Sequence, residues 1–159
     1  MTGGGEWHGL FPELLGKNRG IGGDPTTGVR RRLDQITAAG PQRVLLMIGT
    51  NDLTHGPDSR ADSYAQYREI VSRLQAAQPA PQVYLQSVLP RAAQLRDEVE
   101  AYNAMIRQLA QENDIVFIDL YPRFLAAADS TKDEFSTDEF HLTGPGYQPR
   151  QPLLAPDLV

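Results

Sequence analysis

Three short stretches carry side chains that enzymes use to move protons and stabilise charge. In STDEFHLTGPGY (136–147), Asp138 stands three residues before His141. A carboxylate that accepts from the Nδ1–H of an imidazole fixes its tautomer and leaves Nε2 to take a proton. In MIGTNDLTH (47–55), Gly49 permits a sharp turn and Asn51 brings an amide N–H donor. In NRGIGGDPT (18–26), glycines at 20, 22 and 23 let backbone N–H groups approach a ligand closely. Each stretch has a plainer reading when taken alone. Asn and Asp are ordinary turn residues. The glycine run lacks the Gly-Lys-Ser/Thr of a phosphate-binding loop. A carboxylate near a histidine is commonly an exposed pair.

These loops need elements to hold them. Three short apolar runs, Arg43–Ile48, Gln82–Val88 and Asp114–Leu120, are rich in Val, Ile, Leu and aromatic residues. That composition predicts strands buried on both faces, as in a parallel sheet. Between them lie helical patterns. Val29, Leu33 and Ile36 form one stripe, with Asp24 and Thr26 as candidate caps and Gly40-Pro41 as a stop. Tyr64, Tyr67, Ile70, Val71 and Leu74 form a second; Val99, Tyr102, Met105, Ile106 and Leu109 form a third. Alternating strand and helix predicts an α/β fold with crossovers between parallel strands. In such sheets ligands gather at the carboxyl ends of the strands, where Gly49 and Asn51 fall.

The bulk numbers agree with a globular domain. The chain has 159 residues, 40% of them hydrophobic, and no linker, repeat or composition shift, so a single domain over 1–159 is expected. A net charge of −5 gives no footprint for nucleic acid. The run Arg30-Arg31-Arg32 reads as a solvated helix face. The absence of cysteine excludes disulfides and thiol nucleophiles. The longest strongly apolar run, Val44–Ile48, is too short to span a bilayer. The first residues show no basic and apolar leader, so a cytoplasmic location is expected.

Together the motifs resemble the GDSL/SGNH hydrolase family over nearly the whole chain. EWHGLFPELL (6–15) and NRGIGGDPTTGV (18–29) are similar to its second conserved region, LMIGTNDL (46–53) to its third and DEFHLTGPGY (138–147) to its last. VLPR (88–91) and YNAMI (102–106) are similar to the stretch between. Within the family, the pattern is similar to that of the catalytic subunits of platelet-activating-factor acetylhydrolase and their bacterial esterase relatives. The resemblance implies a three-layer flavodoxin-like parallel sheet with helices on both faces. It implies hydrolysis of a small-molecule acyl ester by a serine, with no cofactor and no metal, and it leaves a homodimer open. It also assigns roles. Gly23, through its backbone N–H, and Asn51, through its side-chain amide, would form the oxyanion hole. Asp138 and His141 would be the catalytic acid and base.

One part of the pattern is missing. The family's serine lies in a Gly-Asp-Ser at the end of its first strand, and no Gly-Asp-Ser occurs in the 159 residues. Gly4-Gly5-Glu6-Trp7 matches the stretch just after that serine. The nucleophile, and the first strand with it, are therefore expected just upstream of Met1, so the domain reads as N-terminally truncated. Thr2, Ser87 and Ser136 are the hydroxyls weighed as substitutes: Thr2 is nearest in sequence to the expected position, Ser87 ends a predicted strand but has no flanking glycine turn, and Ser136 is close to Asp138 in sequence. The segment 144–159 stands where the family has a closing helix, yet Pro149, Pro152 and Pro156 oppose a continuous one. Two other readings compete. One is a catalytically inactive homologue or partner subunit. The other is a metal-dependent hydrolase, because Asp52 and His55 repeat the Asp-x-x-His spacing.

Overall fold

The computed structural model describes residues 9, 16–55, 57–126, 134–135, 142, 147–150 and 152. They fall into two compact units, one holding Gly23–Val88 and Asp97–Asp119, the other the remaining residues.

The first unit contains the sheet. Strands β1 (Arg43–Leu46), β2 (Gln82–Gln86) and β3 (Val116–Ile118) run in the order β1-β2-β3. Both pairings are parallel, with Val44 opposite Val83 and Leu85 opposite Phe117. The α/β class expected from the alternating pattern is what the chain adopts. The strands are shorter than their apolar runs. Asp114 has φ +52° and ends the preceding helix, where the Ile115 N–H donates to the Ala110 carbonyl over 2.9 Å. This is the wrapped C-terminus of a helix, so strand geometry begins only at Val116.

Helix α1 (Thr26–Arg31) and helix α2 (Leu33–Thr37) occupy the span read as one helix. The break falls at Arg32, with φ −103° and ψ 9°, whose guanidinium pairs back with the Asp24 carboxylate. Neither candidate cap caps. Pro25 is the N-cap residue and has no side-chain cap bond. The Thr26 N–H instead reaches the Asp52 carboxylate, 26 residues away, at 3.0 Å. An acidic side chain thus satisfies an orphan donor at the positive end of α1. The arginine run is only partly solvated: Arg30 meets Glu69 at 3.2 Å, Arg32 meets Asp24, and Arg31 is exposed.

Helix α3 (Pro57–Ala76) joins β1 to β2, and helix α4 (Arg96–Glu112) leads into β3. The α3 stripe is buried at Tyr67, Ile70, Val71 and Leu74, but its first member is Ser63, not Tyr64, which is half-buried. In α4, Val99, Tyr102, Ile106 and Leu109 are buried as the spacing predicts, and Asn103 lies beside them. Its side-chain amide accepts from the Val88 N–H at 2.8 Å and donates to the Val88 carbonyl at 3.1 Å. Burial of each Leu or Ile in this core contributes about 1.5–3 kcal/mol.

In the second unit, helix α5 (Tyr121–Phe124) buries Tyr121 and Phe124, and the Phe124 and Phe135 rings lie 5.1 Å apart. Where the resemblance places a closing helix, Tyr147 and Pro152 are helical and Gln148–Arg150 form a 3₁₀ turn, which Pro149 tolerates. Arg150 is fully buried, and that burial pulls its guanidinium down to about 10, still a cation at neutral pH. No helix among the described residues is long and apolar enough to cross a membrane.

Candidate active site

At the carboxyl end of β1 the chain leaves the sheet, passes Gly49 and enters a 3₁₀ turn, Asp52–His55. Gly49 has φ +112°, a backbone conformation that L residues avoid. A Cβ there would also overlap the Tyr102 ring and hydroxyl. The Asp52 and Leu53 N–H groups both donate to the Gly49 carbonyl, at 3.0 and 3.3 Å. The Thr54 hydroxyl donates to the Asn51 carbonyl at 2.9 Å. The turn is therefore held from within.

It is also fastened to residues 23–26. The Asn51 Nδ2 donates to the Asp24 carbonyl at 2.9 Å. Close by, the Asp52 carboxylate accepts from Thr26, from the N–H at 3.0 Å and from the hydroxyl at 3.0 Å. Asp24 is tied a second time by its carboxylate, which pairs with Arg32 and lies over Gly28, leaving no space for a Cβ. Gly23, next to Asp24, is exposed with φ +74°, and no described atom stands within 4 Å of where its Cβ would be. Two of the four residues singled out in the sequence, Gly23 and Asn51, are thus brought together through Asp24. Asp138 and His141 lie outside the described residues, as do Thr2, Ser136 and the stretch 4–7. Ser87 is fully buried, out of reach of an ester in solution.

Sequence reasoning missed what stands behind the turn. Asp52 is buried and engaged by Thr26, rather than being an exposed turn residue. Thr26, Ser63 and Tyr102 are buried with it in a connected set: Thr26 Oγ1 to Ser63 Oγ at 2.7 Å, and Ser63 Oγ to Tyr102 OH at 2.7 Å. Burial, with a smaller push from Asp52, raises the Tyr102 phenol to about 12 against the opposing bonds from Ser63 and Thr26. Burial also raises Tyr67 well above the ordinary phenol range. The one signal for the set was Ser63 itself, a hydroxyl in register with Tyr67, Ile70 and Leu74 on an otherwise apolar helix face.

A separate cavity of about 210 Å³, lined by Gln75, Val83, Asp114 and Val116 among others, opens at the amino ends of β2 and β3. It is at the wrong end of the sheet for the chemistry described here.

Residues 2–148 match the family model described as the GDSL-like Lipase/Acylhydrolase family. The chain belongs to this family. Its similarity to the platelet-activating factor acetylhydrolase IB subunit alpha1 of Rattus norvegicus is 30% identity over 149 residues, covering 90% of this chain and 63% of that protein. The chain therefore spans less than two thirds of the length of this relative. Among solved structures, it is similar to a GDSL-like lipase from Bacteroides thetaiotaomicron (TM-score 0.82, 23% identity, 95% of this chain and 80% of the other). It is also similar to the acetylxylan esterase Axe2 from Geobacillus stearothermophilus (TM-score 0.70, 21% identity, 94% and 75%). At these identities the solved structures show a shared fold.

Proposed function

We propose that this chain is the larger part of a serine acyl-ester hydrolase, in which Gly23 and Asn51 bind the oxyanion and Asp138 and His141 serve as acid and base. The observation that carries the reading is the Asn51 amide fastened to Asp24 directly beside Gly23. In this reading the Asn51 amide, with the Gly23 N–H, meets the negative oxygen that develops when the ester carbonyl turns tetrahedral. Donors fixed before the reaction cost no reorganisation when charge appears.

His141 takes the proton of the serine hydroxyl, which is a poor nucleophile without a base. It later activates the water that releases the acyl-enzyme, while Asp138 holds its ring. The serine belongs to a Gly-Asp-Ser preceding Met1, because Gly4-Gly5-Glu6-Trp7 is in register with the residues just after that motif in the family. The sheet supports a strand there. Among the described residues β1 pairs on one side only, with β2. Val44 and Leu45 are half-buried, whereas their partners Val83 and Tyr84 are buried. A further strand on that side would cover them and pair their backbone groups. Acetyl and other short acyl esters are the substrates to try first, given an acetylhydrolase subunit and an acetylxylan esterase among the similar proteins.

The test is hydrolysis of p-nitrophenyl acetate by the protein purified from its own cells. Turnover that Asn51→Ala lowers by about 10²–10³ and His141→Ala abolishes supports the reading. A pure, folded protein that hydrolyses neither this ester nor longer-chain ones overturns it in favour of a catalytically inactive homologue.

A further inference from the structure

We infer that Tyr102 and Ser63 are positioning residues for the oxyanion donors, acting from helices α4 and α3 on the Gly49–Asp52 turn. The inference rests on the hydrolase reading for its catalytic meaning, but the geometry behind it does not.

The direction of the buried chain comes from counting protons. A carboxylate only accepts, so the Thr26 hydroxyl donates to Asp52. A hydroxyl has one proton, so Thr26 Oγ1 must accept from Ser63, and Ser63 Oγ must in turn accept from Tyr102. All three bonds therefore run one way, from Tyr102 through Ser63 and Thr26 to Asp52. Bonds aligned head to tail and ending on a charge polarise one another and are stronger than neutral pairs. Burial raises the Tyr102 phenol to about 12, so it is a donor at neutral pH.

Tyr102 also acts at the other end of the turn. Its ring and hydroxyl stand against Gly49, filling the space of a Cβ. One side chain of α4 thus fixes the first residue of the turn by contact and the last by a relay of hydroxyls. Asn51 lies between those two points. The same relay fixes Thr26, two residues after Asp24, whose carbonyl holds the Asn51 amide and whose neighbour is Gly23. Both donors are therefore set by a polar chain that touches neither of them. Filling space would not require it: Ser63 and Thr26 are small, and Ala and Val would occupy similar volumes.

The experiment uses the protein as its own cells make it, labelled with nitrogen-15, and follows the Gly23 backbone N–H and the Asn51 side-chain amide by NMR. Tyr102→Phe removes one oxygen and keeps the ring against Gly49, so it should fold; Ser63→Ala breaks the relay in the middle. Both are expected to move the Gly23 and Asn51 signals well beyond the effect of Ser72→Ala, a control on the exposed side of α3. Ser63→Thr, which keeps a hydroxyl, is expected to restore them. In the protein that carries its serine, Tyr102→Phe is expected to lower kcat about tenfold to a hundredfold with KM nearly unchanged, the scale of a misplaced catalytic group. Unmoved Gly23 and Asn51 signals in Tyr102→Phe, with only a loss of stability, would overturn the inference and leave the chain a structural feature of the core. Moved signals in a protein whose wild type hydrolyses no ester would uphold the positioning and sink the hydrolase reading alone.

Discussion

Asn51 and Asp52 are neighbours in sequence with different tasks in the same turn. Asn51 faces the Gly23 segment through its amide, and Asp52 turns inward to hold Thr26. Their substitutions should therefore separate. On the proposed mechanism, Asn51→Ala should cost about 10²–10³ in kcat, as loss of one oxyanion donor does, with a loss of stability of only about 1 kcal/mol from the broken Asp24 bond. Asp52→Ala leaves the N–H and hydroxyl of Thr26 buried without their acceptor. It should destabilise the fold by about 2–4 kcal/mol, read by urea unfolding. The tyrosines give a pH signature. Tyr102 has its folded value raised to about 12, and Tyr67 is raised as well, so the folded state holds phenol protons that the unfolded chain releases near its ordinary value. The Tyr102 contribution is fully present below about pH 10 and is lost as pH climbs from there towards 12, by about 1.4 kcal/mol per unit, and Tyr67 acts in the same direction. Arg150, lowered to about 10 in the fold, works in the opposite direction over the same window, so the tyrosine effect is read as a difference: the urea midpoint should fall more steeply in the wild type than in Tyr102→Phe. At this scale the sequence exposed Gly23 and Asn51, because motif spacing is local. It hid the Tyr102–Ser63–Thr26–Asp52 chain, whose members come from four separate elements and include a tyrosine that reads as an apolar stripe residue.

At the scale of elements, hydrophobic period carried most of the information. The three strands lie inside the apolar runs that predict them, and the α3 and α4 stripes are buried almost residue for residue. What the period could not show is where polar contacts override it. The first helix breaks at Arg32, whose guanidinium reaches back to Asp24, and its N-terminus is satisfied by a carboxylate distant in sequence rather than by its own cap. Strand β3 starts late because a left-handed Asp114 ends the helix before it. These differences matter for energetics on α3. Leu74 is fully buried, so Leu74→Ala should destabilise the protein by about 2–5 kcal/mol. Glu69 faces Arg30 and Arg73 on the exposed side, and Glu69→Ala should change stability by less than about 1 kcal/mol. Chemical unfolding of the two variants in parallel checks the assignment of inner and outer faces.

At the scale of the whole molecule, the chain has the α/β parallel sheet of its family, and the proposal adds a serine nucleophile entering beside β1. The motif order made that family legible across residues 6–147. The chain covers 63% of the acetylhydrolase subunit it is similar to, so the full activity is to be sought in the protein as its own cells make it. The most direct measurement treats that protein with a fluorophosphonate and locates the adduct by peptide mass spectrometry. The expected result is a single modified serine, in a Gly-Asp-Ser peptide preceding Met1, with labelling lost in His141→Ala. No adduct on the folded protein, or one on a serine within residues 1–159, would contradict the account.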